Sequence, residues 1–233
     1  MRVLLTRPRE ESEQLAAALR AKGHEAIISP VLDIQFVEGP ELALDGVQAI
    51  VCTSANGIRA LARRAARRDV PLFAVGPQTA SAAQSAGFRD VRNACGNARA
   101  LADAVQNRGP PDGGTLMYAA GVERHHDFEQ ALLDSGYSVR TEILYDAKEV
   151  PALTREARTA LSADALDAVM LFSSRSAASF AKQVQAAGLA QNCARLIAIC
   201  ISEAVADTLI PLRFCEMRIA AHPDRDAMLA LLD

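Results

Sequence analysis

One stretch of the chain occurs twice, and that repetition limits the possible folds more than any other feature. Ala49-Ile50-Val51-Cys52-Thr53-Ser54-Ala55-Asn56-Gly57 is echoed by Ala168-Val169-Met170-Leu171-Phe172-Ser173-Ser174-Arg175-Ser176. Each copy is a short apolar run, then a polar step with hydroxyl residues, then apolar residues at helical spacing. A short apolar run closed by polar groups reads as a strand buried on both faces, as in parallel sheets. Ser54 and Ser174 are placed to cap the helices that follow, accepting from N–H groups that lack partners inside the helix. In an open α/β sheet, ligands sit at this edge, beyond the carboxyl ends of the strands. Two such edges suggest a ligand held between two similar halves.

The rest of the chain repeats in step. Leu4-Leu5-Thr6-Arg7-Pro8, a helix, the stop at Gly23 and Pro30-Val31-Leu32-Asp33 align with a second series. That series is Leu116-Met117-Tyr118-Ala119-Ala120, a helix, Gly136 and Ile143-Leu144-Tyr145-Asp146. Phe73-Ala74-Val75-Gly76-Pro77-Gln78-Thr79-Ala80 matches Ile199-Cys200-Ile201-Ser202-Glu203-Ala204-Val205-Ala206. Strands are expected at 2–6, 26–29, 48–52, 72–75, 90–92, 115–119, 138–144, 168–172, 196–201 and 216–220, with helices between most of them. Alternation of this kind means βαβ units and parallel sheets. Residues 31–37 and 141–149 instead alternate apolar and polar, the pattern of half-exposed strands.

Two layouts satisfy the duplication. Either each half of the chain is a domain, or the alternating segments pair as a ribbon and the chain crosses over. In the second layout residues 40–140 form one domain, and residues 1–30 with 150–233 form the other. The connecting ladder is then 31–39 with 141–149.

Charge and cysteine content exclude several functions. The net charge of −3 offers no basic stripe for a sequence-independent grip on nucleic acid. The local run Arg59, Arg63, Arg64, Arg67 and Arg68 reads as a solvated helix face, with an anion-attracting patch as the alternative. Five cysteines without C-x-x-C spacing fit a reducing compartment, with Cys52 and Cys200 as small core residues. No apolar segment approaches the length of a membrane span, and the N-terminus lacks a signal-type apolar region. A cytoplasmic protein is expected, with neither membrane nor nucleic acid as partner. His125 and His126 are adjacent and would diverge on a helix, while His24 and His222 have no ligand-like neighbours, so no metal site is expected. Neither G-x-G-x-x-G after a strand nor G-x-x-x-x-G-K is present.

In order and spacing, these motifs resemble the uroporphyrinogen-III synthase family over nearly the whole chain. The resemblance rests on Leu4-Leu5-Thr6-Arg7-Pro8, Thr53-Ser54-Ala55-Asn56, Ala74-Val75-Gly76-Pro77-Gln78-Thr79-Ala80, Tyr145-Asp146, Phe172-Ser173-Ser174 and Cys200-Ile201-Ser202. It implies an α/β fold of two flavodoxin-like parallel-sheet domains joined by a two-stranded β-ladder, with an open cleft, which favours the crossing layout. It implies an enzyme, a cyclising hydro-lyase of porphyrin and heme biosynthesis. Such an enzyme closes linear hydroxymethylbilane to uroporphyrinogen III with inversion of ring D and loss of water, through a spiro intermediate. No cofactor is implied. A monomer is expected, its substrate handed over from hydroxymethylbilane synthase.

A substrate with eight carboxylates needs local anion sites on a chain of net negative charge. Helix N-termini supply free N–H groups and partial positive charge. The expected helix starts are Ser54–Gly57, Gly76–Thr79, Gly121–Arg124, Ser174–Ser176 and Ser202–Ala204. Substrate-binding candidates are accordingly Arg7, Thr53, Ser54, Asn56, Gly76, Thr79, Gly121, Arg124, Ser173, Ser174, Arg175 and Ser202. For Arg7 an ion pair with Glu10 or Glu11 is the alternative to pairing with a carboxylate. Val205 stands where the first half has Thr79, and Ser202 where it has Gly76, a departure from the family pattern in the second half. Tyr145 matches a family tyrosine implicated in activity and is the candidate catalytic group, donating or relaying the proton that leaves with water. Because the substrate closes unaided to the wrong isomer, holding one folded geometry matters more than acid strength. The rival reading is a non-catalytic two-lobed α/β protein that binds a small polycarboxylate. A receiver-like module would want acidic residues where Thr6 and Arg7 stand.

Overall fold

The computed structural model describes residues 1–94, 98–107, 109–124 and 126–232. Cys95 and His125 lie outside them. In chain order the elements begin with β1 (Arg2–Leu5), α1 (Arg9–Ala21), β2 (Glu25–Ile28), β3 (Leu32–Phe36) and β4 (Val47–Cys52). There follow α2 (Ala55–Arg64), β5 (Leu72–Val75), α3 (Gly76–Ser85), β6 (Val91–Ala94), α4 (Ala98–Gln106) and β7 (Thr115–Gly121). Next come α5 (His126–Asp134), β8 (Val139–Glu149), α6 (Arg155–Ser162), β9 (Ala168–Leu171) and α7 (Ser174–Ala186). The chain ends with β10 (Ile197–Cys200), α8 (Glu203–Thr208), β11 (Glu216–Ile219) and α9 (Arg225–Ala230).

Two compact units result, one from Met1–Asp33 with Lys148–Asp233, the other from Ile34–Ala147. The first unit holds the sheet β11-β10-β9-β1-β2, all of its pairs parallel. Numbered along the chain within the unit, that is the flavodoxin-like order 2-1-3-4-5. The second sheet runs β3-β8-β7-β4-β5-β6, and its pairs from β8 to β6 are parallel. The duplication equates β7, β8, β4, β5 and β6 with β1, β2, β9, β10 and β11. The two sheets then share one spatial order, and the second unit is a circular permutation of the first.

The solid apolar runs arise because each sheet is covered on both faces. Leu4 and Val169 point toward α6 and α7, where they meet Leu161, Phe180 and Val184. Val3, Leu5 and Met170 point the other way, against Leu15 and Leu19 of α1 and Met228 of α9. In the second unit Ile50, Leu72 and Met117 pack under Ile58 and Leu61 of α2, while Val51, Phe73 and Tyr118 meet Leu101, Phe128 and Leu132 on the far side. Strands buried on both faces have no polar side to show.

Several expectations are corrected. Ser173, not Ser174, caps α7: its Oγ accepts from the Ser176 N–H at 3.1 Å, and Ser174 is already helical. Ser54 and Ser173 each stand two residues past a strand end, so the echo itself pairs them. No helix starts at Gly121–Arg124. Gly121 ends β7, and α5 begins at His126. In the basic run Arg63 and Arg67 are exposed, as a solvated face requires, while Arg68 is tied into the fold. Arg68 donates to the carbonyls of Ala62 and Ala65 at the end of α2 and of Ala86 at the end of α3, where helix carbonyls lack partners. Arg67 pairs with Asp69, and Arg63 lies over the Phe36 ring.

Candidate functional site

Where the strand order of a doubly wound sheet reverses, the connections leave in opposite directions and open a crevice at the carboxyl ends. In the second unit the reversal lies between β7 and β4, and in the first between β1 and β9. Most of the residues expected from the sequence fall at these two edges.

In the second unit Thr53 follows the last residue of β4, and Ser54 caps α2 by accepting from the Asn56 N–H at 3.1 Å. The Asn56 side chain is engaged, its Oδ1 accepting from Arg59 at 2.8 Å. At the next strand, Gly76 opens α3 with φ of 79°, a conformation that suits glycine. No side chain caps this helix, so the N–H groups of its first turn, of which Pro77 supplies none, suit an anion. Thr79 lies in the first turn of α3 with its side chain buried.

Gly121 and Tyr145 come together beside this edge. They are partners across β7 and β8 at a bulge, and the Val122 N–H donates to the Tyr145 carbonyl at 3.0 Å. The half-buried Tyr145 ring covers the Gly121 Cα so closely that an added Cβ would stand 2.7 Å from Cζ. Gly57, in the first turn of α2, is confined by Cys52 Sγ and the Ala119 carbonyl, 2.6 and 3.0 Å from an added Cβ, with the same ring in ordinary contact at 3.7 Å. Gly121 thus forms the floor under Tyr145, with Gly57 at its edge.

Arg124 lies three residues past β7. Its Nε is buried without a hydrogen-bond partner among the described residues and stands 3.7 Å from Glu129 Oε2. Glu129 in turn accepts from Thr141. Beneath lies Tyr118, whose hydroxyl is 3.2 Å from Thr53 Oγ1. Burial pushes the Tyr118 phenol above its ordinary pKa, and the Thr53 hydrogen bond and the Arg124 charge oppose that rise. Sequence reasoning missed Tyr118 because it sits inside an apolar strand. A lone buried tyrosine needs a partner for its hydroxyl, and that signal was available.

In the first unit Arg7 follows β1, its guanidinium 4.5 Å from the Phe172 ring centroid. Its Nε donates to Glu11 at 2.7 Å, so the expected ion pair forms, with Glu11 as the partner. Ser173 and Ser174 are exposed beyond β9, and the Ser174 hydroxyl donates to the Ala204 carbonyl at 3.2 Å. Arg175 contributes to holding the Glu149 carboxylate below its usual range, behind the stronger effects of Lys182 and Ser179. Ser202 precedes α8 without a side-chain capping bond, and Glu203 puts negative charge into that first turn. With only six residues, α8 is a weaker anion site than α3.

Among the described residues no three His, Cys, Asp or Glu side chains gather as a metal site, and no helix is long and apolar enough to cross a membrane.

Comparison with known proteins matches the family described as uroporphyrinogen-III synthase HemD over residues 13–230. The Helicobacter pylori uroporphyrinogen-III synthetase structure is similar at a TM-score of 0.64 and 17% identity, covering 100% of this chain and 98% of that one. A mutant uroporphyrinogen III synthase from Thermus thermophilus gives 0.55 and 17%, covering 100% and 97%. These likenesses concern the fold. A Methanocaldococcus jannaschii protein provisionally described as a uroporphyrinogen-III synthase is 36% identical over 58 residues, 25% of this chain and 24% of that protein. The match thus spans about a quarter of that relative's length. With the family match running over nearly the whole duplicated chain, the chain belongs to the uroporphyrinogen-III synthase family.

Proposed function

We propose that the chain is a cyclising hydro-lyase that closes hydroxymethylbilane to uroporphyrinogen III, inverting ring D with loss of water. Family membership over residues 13–230 carries this reading. The strand ends of both units support it, because they offer the kinds of group an octacarboxylate needs. The uncapped start of α3 at Gly76 and Thr79 suits one carboxylate through backbone donors. Thr53, Ser54, Asn56, Gly121 and Arg124 would serve another at the β4 and β7 edge. Arg7, Ser173, Ser174, Arg175 and Ser202 would serve the first unit. Segments 31–39 and 141–149 act as the connecting ladder.

The hydroxyl of the linear substrate leaves as water once it gains a proton, and the substituted α-carbon of ring D attacks the resulting cation to give the spiro intermediate. The bond from that carbon to the bridge joining rings C and D then breaks, and the bridge re-bonds to the free α-carbon of ring D with loss of a proton. Tyr145 donates or relays the proton taken up by the hydroxyl, or holds the ring that attacks the cation. The rest of the work is orientation: binding several carboxylates at once selects one folded geometry over unaided closure. No metal or organic cofactor takes part. The enzyme acts as a cytoplasmic monomer and receives hydroxymethylbilane from hydroxymethylbilane synthase.

The test is a coupled assay with porphobilinogen and hydroxymethylbilane synthase, followed by oxidation and separation of the uroporphyrin isomers. Predominant isomer III is expected. Isomer I alone, at the level seen without the protein, would remove the enzyme reading and leave the polycarboxylate-binding one.

A further inference from the structure

We propose that Tyr118 is a positioning residue that fixes the Thr53 hydroxyl as a hydrogen-bond donor, making the carboxyl end of β4 a carboxylate subsite. This inference rests on the function proposed above.

The side chain of Tyr118 is 1% exposed, its ring set edge-on to Phe128 at 5.4 Å between centroids. A phenol buried this deeply must spend its hydroxyl on a partner. The partner at hand is Thr53 Oγ1, 3.2 Å away. A phenol is a much stronger acid than an aliphatic alcohol and therefore the better donor of the two. Desolvation keeps it protonated at neutral pH, so it remains a donor there. With Thr53 Oγ1 accepting from below, its own proton is left for an acceptor on the open side. Thr53 is half-buried at the edge where the strand order reverses. An acceptor-only group, such as a carboxylate, is suited to take that proton.

Arg124 points to the same ligand class. Its charge reaches the Tyr118 hydroxyl, and its Nε is buried without a hydrogen-bond partner among the described residues. Glu129 Oε2, 3.7 Å from that Nε, balances part of the charge, so the Thr53 donor specifies the anion and the guanidinium assists.

The duplication makes this pair specific to one unit. Leu5 pairs with Met170 as Tyr118 pairs with Val51, so Leu5 holds the equivalent of Tyr118, although the sequence motifs align Thr6 there. Phe172 holds the equivalent of Thr53. Neither carries a hydroxyl. The first unit lacks the device.

Tyr118→Phe removes one oxygen and keeps the ring. With freshly made hydroxymethylbilane we expect KM to rise about three- to tenfold while kcat stays within about twofold, the signature of lost binding that is uniform through the reaction. Thr53→Ala should match it, Thr53→Ser should restore KM, and the double variant should be no worse than Thr53→Ala alone. A fold defect from Tyr118→Phe would show as a lower Tm with kcat reduced. The Thr53 variants then decide through the KM change and its serine rescue. Unchanged KM in both single variants, or effects that multiply in the double variant, would overturn the inference while isomer III still forms. Absence of isomer III from the unmodified protein would overturn the proposed function and this inference together.

Discussion

The Tyr145 ring rests on Gly121 with no room for a methyl group between them: an added Cβ would lie 2.7 Å from Cζ and 3.0 and 3.1 Å from the two Cε atoms. Gly121→Ala must therefore tilt or expel the ring, since the three atoms nearest the added Cβ all belong to it. We expect a stability loss of about 1–3 kcal/mol, typical of overpacking. Isomer III formation should fall further than in Tyr145→Phe, because the whole ring is displaced rather than one oxygen. Denaturant unfolding and the isomer assay on both variants check the order. Equal activity of Gly121→Ala and the unmodified protein would mean that the ring position is irrelevant.

Tyr145→Phe separates proton transfer from placement. If holding the folded substrate dominates, kcat should drop by about tenfold or less, below the hundredfold or more that a positioned general acid can contribute. Tyr145→Ala, which also removes the ring, should cost more than Tyr145→Phe. A fall of several hundredfold in Tyr145→Phe would instead make the phenol an essential acid.

The capping residues give a prediction about stability alone. Ser54 and Ser173 each accept from an N–H two or three residues on, at 3.1 Å. Replacing either with Ala should cost about 1 kcal/mol. Ser174→Ala removes one bond to the Ala204 carbonyl from an exposed hydroxyl and should cost less. Urea midpoints of the three variants test the ranking, and Ser174→Ala as the most damaging would reverse the assignment of the cap.

These outcomes bear on what could be read before the structure. The duplicated strands were legible because burial on both faces leaves an uninterrupted apolar run, as at Val3-Leu4-Leu5 and Ala168-Val169-Met170-Leu171. The placement of Thr53, Ser54, Gly76 and Ser173 at carboxyl ends followed from where those runs stop. Register was less legible. One position separates Ser173 from Ser174 as the cap, and one separates Leu5 from Thr6 as the counterpart of Tyr118. Apolar runs without a polar face leave a one-residue slip uncorrected. The floor under Tyr145 was illegible for another reason. Gly57 and Gly121 are far apart in the chain, and only the packing of α2 on the sheet brings both to one ring.

Burial of the thiols sets a final prediction. Cys52 is buried against the Ser54 and Ala119 carbonyls, and its pKa is pushed up to about 12, chiefly by desolvation. Cys193 and Cys200 are raised to about 11 by the same cause. The thiolate is the reactive form, so native Cys52, Cys193 and Cys200 should resist iodoacetamide at pH 8 while exposed Cys215 is alkylated. Peptide mapping of the alkylated protein by mass spectrometry reads this directly. The pH dependence has a definite sign. In the unfolded chain these thiols ionise near 9.0, whereas in the folded protein they hold their protons until about 11 to 12. Above pH 9 the unfolded state therefore binds fewer protons, and stability falls as pH rises. The contribution is fully present below pH 9 and is lost progressively toward pH 11 to 12. Unfolding free energy at pH 8 and pH 10 should show the decline, and Cys200→Ala should make it shallower. An equal slope in that variant would assign the decline to other groups.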